Sequence, residues 1–215
     1  MKLFCLSDIH GDFGIITRAK RWTDDYDLIL ISGDITHFNS KMVAEKMVES
    51  LKTLGRILLV PGNCDLPETH MVFEDEAVSL HGHGRVIEDI GFFGVGGSPI
   101  TPFDTPFEIS EDAISNLLNK GYKEIIGCKK KIMVSHPPPY GTEVDKTKDG
   151  KHGGSKAVYD FIKNFDIDMV LCGHIHEARG EDRINDTLVI NNGSGHLGFV
   201  SVDFDDALDY DFVNF

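Results

Sequence analysis

Cysteine is scarce in this sequence, and no two cysteines form a C-x-x-C pair. Four occur among 215 residues, at positions 5, 64, 128 and 172. Cysteines so few and so far apart argue against a disulfide framework. The pattern suits a reducing compartment, so we expect a cytoplasmic protein.

Long apolar runs and positive charge are also scarce. The apolar run that opens the chain is too short for a signal peptide, and none approaches the ~18 residues of a membrane span. Lys and Arg number 21 against 35 Asp and Glu, a net charge of -14. An acidic surface repels phosphate backbones, so we expect neither a nucleic-acid partner nor a membrane partner. Part of the acidic excess can serve as metal ligand, because bound cations would reverse the local field.

What the chain does have is enough apolar material for a sizeable core. Apolar residues make up 41% of it and aromatic residues 9%. At this length we expect one domain spanning residues 1–215. We find no internal repeat or linker, and a homo-oligomer remains open.

Short apolar runs alternate with helical periodicity through much of the chain. Strands are predicted at 2–7, 27–32, 56–61, 131–135 and 168–172, and helices at 14–23, 40–54, 110–121 and 155–165. This alternation predicts parallel β-α-β units with helices on both faces. Short strands are predicted within 78–97, a loop at 98–107, and antiparallel strands at 183–191, 197–204 and 207–213. The simplest architecture is an α/β fold with two mixed sheets.

Each of the five buried strands runs into a turn rich in metal-ligand residue types. In chain order these turns carry Asp8 and His10, then Asp34, Asn63, His136, and finally His174 with His176. Ligands of open α/β sheets bind beyond the carboxyl ends of the strands, so we expect these side chains to share one crevice. One such cluster alone is usually a cap or a solvated turn. Five in succession indicate a site.

The residue types and their spacing indicate which metals would fit. Residues two apart in an extended segment point the same way, so Asp8 and His10 can hold one ion together. Imidazole nitrogens mixed with carboxylate and amide oxygens suit Mn, Fe, Co, Ni or Zn better than Ca.

The order D-x-H, G-D, G-N-x-D, an isolated His and G-H-x-H resembles the calcineurin-like metallophosphoesterases. This pattern spans residues 8 to 176, and the stretches SHPPPYG and GHIHE resemble the small prokaryotic phosphodiesterase branch of that family. The resemblance implies a β-sandwich of two mixed sheets flanked by helices, with its metal site at the carboxyl ends of strands.

It also implies a ligand set and a reaction. One divalent ion would be held by Asp8, His10, Asp34 and His176, and a second by Asp34, Asn63, His136 and His174, with Asp34 bridging both. Manganese is the first expectation for the ions, with iron, nickel, cobalt or zinc as alternatives. A hydroxide between the ions would attack a small phosphodiester. A phosphomonoesterase, a nucleotide pyrophosphatase or a metal-binding scaffold without much activity remain the alternatives.

One position departs from the family pattern. Many members have His where this chain has Cys64, and that His assists the leaving group or binds phosphate. A thiol with an ordinary pKa near ~8.5 is a poor proton donor to an alkoxide. We therefore expect a preference for good leaving groups, or another histidine that supplies the proton. His37 could reach the substrate or be merely solvated, and His152 could touch phosphate or simply precede a helix cap at Ser155.

Overall fold

The computed structural model describes residues 1–76, 78–205 and 208–215. Two β-sheets face each other with helices on the outer side of each. The first has the strand order β11-β10-β1-β2-β3, formed by β1 (Lys2–Leu6), β2 (Leu28–Ser32), β3 (Ile57–Val60), β10 (Gly198–Phe204) and β11 (Leu208–Asn214). The second has the order β4-β5-β6-β7-β9-β8, formed by β4 (Gly84–Ile87), β5 (Ile90–Val95), β6 (Lys130–Ser135), β7 (Met169–Cys172), β8 (Gly180–Ile184) and β9 (Thr187–Asn191).

Both sheets are mixed. Strands β1, β2 and β3 pair in parallel, while β10 joins β1 and β11 antiparallel. Strands β5, β6, β7 and β9 pair in parallel between antiparallel edge strands β4 and β8. The predicted α/β fold of two mixed sheets flanked by helices is therefore confirmed.

The central strands are apolar throughout because both of their faces are covered. In β2, Leu28 and Leu30 enter the core between the sheets, whereas Ile29 and Ile31 pack under the helices. The helices over the first sheet are α1 (Phe13–Ala19), α2 (Lys41–Lys52) and α3 (Pro67–Asp75). Those over the second are α4 (Glu111–Glu124) and α5 (Lys156–Asn164). This layering leaves the strand ends free to carry polar residues.

Three sequence predictions about secondary structure need correction. Residues 183–191 are not one antiparallel strand, because a turn separates the end of β8 from β9, and β9 runs parallel to β7. Helix α3 lies in a stretch for which no helix was predicted, although Pro67 at its first turn is a recognised start signal. Helix α1 ends at Ala19, and a separate short 3-10 helix covers Thr23–Asp25. Residue 207, predicted to begin the last strand, lies outside the described residues.

Candidate metal centre

The seven predicted ligand residues come together at the carboxyl ends of five parallel strands. Asp8 and His10 follow β1, while single residues follow β2, β3 and β6, and His174 with His176 follows β7. The strands belong to both sheets, so the crevice lies where the ends of the two sheets meet. The structure therefore places together all of the side chains that the motif pattern singled out.

A first group consists of Asp8, His10 and His176. His176 Nε2 lies 3.0 Å from Asp8 Oδ1 and 3.3 Å from His10 Nε2. His10 Nε2 is 3.9 Å from the same Asp8 oxygen. Ligand atoms bonded at about 2.1 Å around one tetrahedral ion are about 3.4 Å apart. The three atoms thus have the spacing expected for the corners of one coordination polyhedron.

A second group forms around His136, which is completely buried. Its Nδ1 lies 2.8 Å from the carbonyl oxygen of Ser32, so Nδ1 carries the proton and Nε2 presents a lone pair. That Nε2 faces Asn63 Oδ1 at 2.8 Å and Asp34 Oδ1 at 3.6 Å. Three lone-pair atoms that converge in this way are a donor set that fits a cation.

The carboxylate of Asp34 faces both groups. Its Oδ2 lies 3.6 Å from His10 Nε2, while its Oδ1 lies 3.6 Å from His136 Nε2. The backbone N–H of Cys64 donates to Oδ1 at 2.8 Å and holds the carboxylate in this orientation. One oxygen directed at each group is the arrangement that a bridging carboxylate requires.

His174 lies beside the second group. Its ring centroid is 5.0 Å from that of His136, and its backbone N–H donates to Asp8 Oδ2 at 3.2 Å. The same Asp8 oxygen accepts a hydrogen bond from the Ser7 hydroxyl. Asp8 therefore connects the turn after β1 to the turn after β7.

The electrostatics of the centre favour bound cations. Burial raises the pKa of Asp34, and the charge of Asp8 adds to the rise. Burial also lowers the pKa of His10 to about 4 and that of His174 to about 3. For Asp8, burial acts to raise the pKa, but the hydrogen bond from His176 and the nearby His136 lower it overall. The hydrogen bond to Asp8 raises the pKa of His176, so a bound ion would take the place of the proton between these two side chains. Lone pairs of imidazole beside buried carboxylates are what a divalent ion needs.

Four of these residues have left-handed backbone conformations. The φ angles are 51° at Asp8, 51° at His10, 49° at Asp34 and 69° at His174. Residues other than glycine rarely adopt this region, and such strain concentrates at functional sites. Here it turns the chain sharply as each strand ends. Asp8 and His10 therefore reach the crevice from a turn, and not from the extended segment that the sequence predicted.

Comparison with known proteins agrees with this geometry. Residues 1–178 match the family model of calcineurin-like phosphoesterases. The uncharacterised protein MJ1162 of Methanocaldococcus jannaschii is 38% identical over 196 residues, which cover 89% of this chain and 87% of MJ1162. The chain belongs to the calcineurin-like phosphoesterase family. Since members are dinuclear and metal-dependent, membership supports a metal-dependent phosphoric ester hydrolase.

Solved structures share the fold of this phosphoesterase at low identity. TT1561 of Thermus thermophilus superimposes with a TM-score of 0.76 at 18% identity, covering 98% of this chain and 97% of the other. A dimetal phosphatase from Danio rerio gives 0.61 at 8% identity, covering 96% and 93%. Identities this low support the fold alone. No helix in the described part of the phosphoesterase is long and apolar enough to cross a membrane.

Asp65 has a role that the sequence did not reveal. It is fully buried and accepts hydrogen bonds from the backbone N–H groups of Ile35, Thr36 and Gly62 and from the Thr36 hydroxyl, at 2.6–3.1 Å. It therefore joins the loop that carries Asp34 to the loop that carries Asn63. Its position two residues after Asn63 was the available signal, but spacing alone does not separate a clamp from a ligand.

His37 and Cys64 stand at the rim of the centre. His37 Nδ1 is 3.1 Å from His10 Nδ1, the ring nitrogen on the far side of His10 from Asp8. A ligand atom of Cys64 lies within 4.8 Å of ligand atoms of both histidines. His37 Nδ1 is thus placed to accept a hydrogen bond from the Nδ1 proton of His10, as partners of metal-bound imidazoles do.

The remaining histidines lie outside the seven-residue group. His70 and His81 pack against Phe107, His83 lies 3.3 Å from Glu74, and His196 lies 3.5 Å from Asp12. None of these four shares a hydrogen bond with the seven predicted ligands within the described residues. His152 differs from them, because it combines a buried carboxylate partner with a position between ligand loops.

Proposed function

We propose that the chain is a dinuclear-metal-dependent phosphodiesterase that hydrolyses small phosphodiesters. The observation that carries the proposal is the orientation of Asp34, whose two oxygens face His10 and His136 at 3.6 Å each. One ion would be held by Asp8, His10, Asp34 and His176, and the other by Asp34, Asn63, His136 and His174. When bound, such a pair acidifies water and offsets charge on the phosphoryl oxygens.

The residues around the ligands fix the geometry that this chemistry needs. The carbonyl of Ser32 sets which nitrogen of His136 is protonated, and the hydroxyl of Ser7 orients Asp8. The Cys64 N–H holds Asp34. Phosphoryl transfer depends mainly on positioning and on charge stabilisation, so rigid ligands contribute directly to rate.

A diester is favoured over a monoester by the stretches SHPPPYG and GHIHE, which resemble the small prokaryotic phosphodiesterase branch of the family. A diester carries one negative charge, whereas a monoester carries nearly two at neutral pH. Among the described residues, no Lys or Arg side chain pairs with the seven ligands. Beside the ligands, the positive charge that faces either ester would therefore come from the bound ions.

The test compares bis-p-nitrophenyl phosphate with p-nitrophenyl phosphate after chelation and after addition of Mn, Ni, Co or Zn. We expect metal to restore diester turnover, and Asp34→Asn or His136→Ala to reduce it by at least about a hundredfold. His196→Ala, which alters an exposed histidine outside the centre, is the matched control. Metal analysis of the purified protein tests the expectation of manganese.

Each contrary result has its own meaning. Faster turnover of the monoester would favour a phosphomonoesterase. Cleavage of a dinucleotide pyrophosphate in place of both esters would favour a pyrophosphatase. Two bound ions per chain with no turnover of any ester would favour a scaffold. A chain that binds no divalent ion would refute the metal centre itself.

A further inference from the structure

Cleavage of a phosphoester leaves an oxygen anion that takes up a proton. At the position where many relatives carry a histidine, this chain has the buried thiol of Cys64. Another side chain among the described residues is placed to supply this proton. The inference that follows rests on the proposed phosphodiesterase function.

His152 is held by a buried carboxylate in a defined orientation. Its Nδ1 lies 2.6 Å from Asp145 Oδ1, and the Asp145 side chain is inaccessible to solvent. The same carboxylate accepts backbone N–H groups from Gly141, Thr142 and Gly154 at 3.0–3.1 Å. Since the Asp145 oxygens act as acceptors for these backbone donors, the 2.6 Å contact is made by an N–H on His152 Nδ1. The second nitrogen, Nε2, does not contact Asp145 and is available for proton transfer.

The loop that carries His152 lies between the two ligand-bearing loops of the second sheet. Gly153 packs against Ile175, the residue between His174 and His176, closely enough that a Cβ would come within 2.9 Å of it. The backbone N–H of Ser155 donates at 2.8 Å to the carbonyl oxygen of Pro138, and Pro138 lies two residues after His136. The backbone N–H of Lys148 donates to the Glu177 carboxylate at 3.0 Å. His152 is therefore one residue from a contact with the segment that carries two ligands.

The imidazole is accessible as well as oriented. The side chain of His152 is 30% exposed, and its Nε2 makes no hydrogen bond within the described residues. Its ring lies 5.5 Å from the ring of Tyr140, over which Lys156 Nζ stands at 5.4 Å. A carboxylate on Nδ1 with a free Nε2 is how proteins prepare a histidine to transfer a proton.

We propose that His152 Nε2 donates a proton to the leaving oxygen of the ester, with Asp145 as its positioning residue. A water oxygen that has lost one proton to solvent forms a bond to phosphorus, and the bond from phosphorus to the leaving oxygen breaks. The electron pair of that bond stays on the leaving oxygen, which takes the Nε2 proton of a His152 ring that carries a proton on each nitrogen. The ring is left neutral with its proton on Nδ1, beside Asp145, and Nε2 then regains a proton from solvent.

The experiment compares bis-p-nitrophenyl phosphate with diphenyl phosphate, which lacks the two nitro groups and therefore has a more basic leaving oxygen with a greater need for a proton. His152→Asn keeps an N–H for Asp145 but lacks the second nitrogen. We expect about a hundredfold loss on diphenyl phosphate and less than about threefold on the nitrophenyl ester. Asp145→Asn should shift the ratio in the same direction. His196→Asn, an exposed histidine outside the site, should leave the ratio unchanged.

Two further measurements separate this role from a structural one. Metal content per chain should be unchanged in His152→Asn, and nitrogen NMR of the metal-free protein should show His152 protonated at Nδ1. Equal losses on both esters, or no loss on diphenyl phosphate, would overturn the assignment while leaving the phosphodiesterase intact. A wild-type chain that hydrolyses neither ester would instead overturn the proposed function and this assignment with it.

Discussion

The imidazole ring of His136 lies where a side chain on Gly33 would stand. A Cβ at residue 33 would overlap Nδ1 of that ring and approach its Cγ to 2.6 Å. The backbone there is left-handed, with φ at +101°, which other residues rarely adopt. Gly33 therefore lets the turn after β2 pass directly beside a candidate ligand supplied by β6 of the other sheet.

We expect Gly33→Ala to weaken metal binding without removing any ligand. The added methyl group would push His136 off the carbonyl of Ser32, and the left-handed backbone would add strain of about 1–2 kcal/mol. Titration calorimetry with Mn should show at least about a tenfold weaker affinity. Gly150→Ala is the matched control, because Gly150 also has a positive φ, +78°, but faces open space. An equal loss in both variants would assign the effect to backbone strain alone.

Asp65→Asn should destabilise the protein and weaken its metal affinity, although Asp65 is not one of the seven predicted ligands. The two oxygens of Asp65 accept hydrogen bonds from the backbone N–H groups of Ile35, Thr36 and Gly62. In the variant an NH2 group replaces one of these oxygens, so a donor would face a donor. Loss of buried hydrogen bonds to a charged acceptor costs about 2–3 kcal/mol. Urea unfolding of the chelated protein measures this cost. Glu68→Gln, an exposed change on α3, should have little effect, and the same small effect in Asp65→Asn would exclude the clamp.

Much of the fold could be predicted from local sequence patterns, because burial and helix capping leave a clear pattern of residue types. Strands β1, β2, β3, β6 and β7 are continuous apolar runs because helices and the opposite sheet cover both faces. The cap of α5 at Ser155 was predicted and is confirmed, since its hydroxyl accepts from Val158 N. The pairing of β1 with β10 could not be read in this way, because it joins residues about 200 positions apart.

The candidate site, too, could be predicted only where local sequence patterns reveal it. Asp8, His10 and Asp34 follow strands that the sequence reveals, so their convergence was predictable. The roles of Asp65 and of Asp145 with His152 depend on tertiary hydrogen bonds, which spacing does not encode. A carboxylate in a turn looks the same in sequence whether it binds a metal, clamps two loops or orients an imidazole.

In the chelated protein, we expect a thiol reagent to label Cys128 well before Cys64. Burial raises the pKa of the Cys64 thiol, and the charge of Asp34 raises it further. The thiolate is the reacting form, so Cys64 should react slowly. Cys5 and Cys172 are buried too, whereas Cys128 is only partly buried. Loss of the fast phase in Cys128→Ser but not in Cys64→Ser would confirm the order, and rapid labelling of Cys64 would contradict it.

Acid should destabilise the protein partly through His81. Burial lowers the pKa of His81 to about 4, and its Nδ1 accepts a hydrogen bond from Gly96 N at 2.9 Å. The unfolded chain takes up this proton near pH 6.5, before the folded protein does. The stabilising contribution is therefore complete above about pH 6.5 and is lost as pH falls toward about 4. Between about pH 7.5 and about pH 5.5 the loss from His81 should be roughly 1.3 kcal/mol.

His81→Asn isolates this contribution, because the Asn oxygen can accept the bond from Gly96 but does not titrate. The free energy of unfolding in urea, measured at both pH values, should fall by roughly 1.3 kcal/mol less in the variant than in the wild type. Burial lowers the pKa of His10 and His174 too, so the variant should retain part of the acid sensitivity. An unchanged pH dependence in His81→Asn would mean that His81 is protonated in the folded protein at about pH 5.5, and that its bond to Gly96 does not hold it neutral.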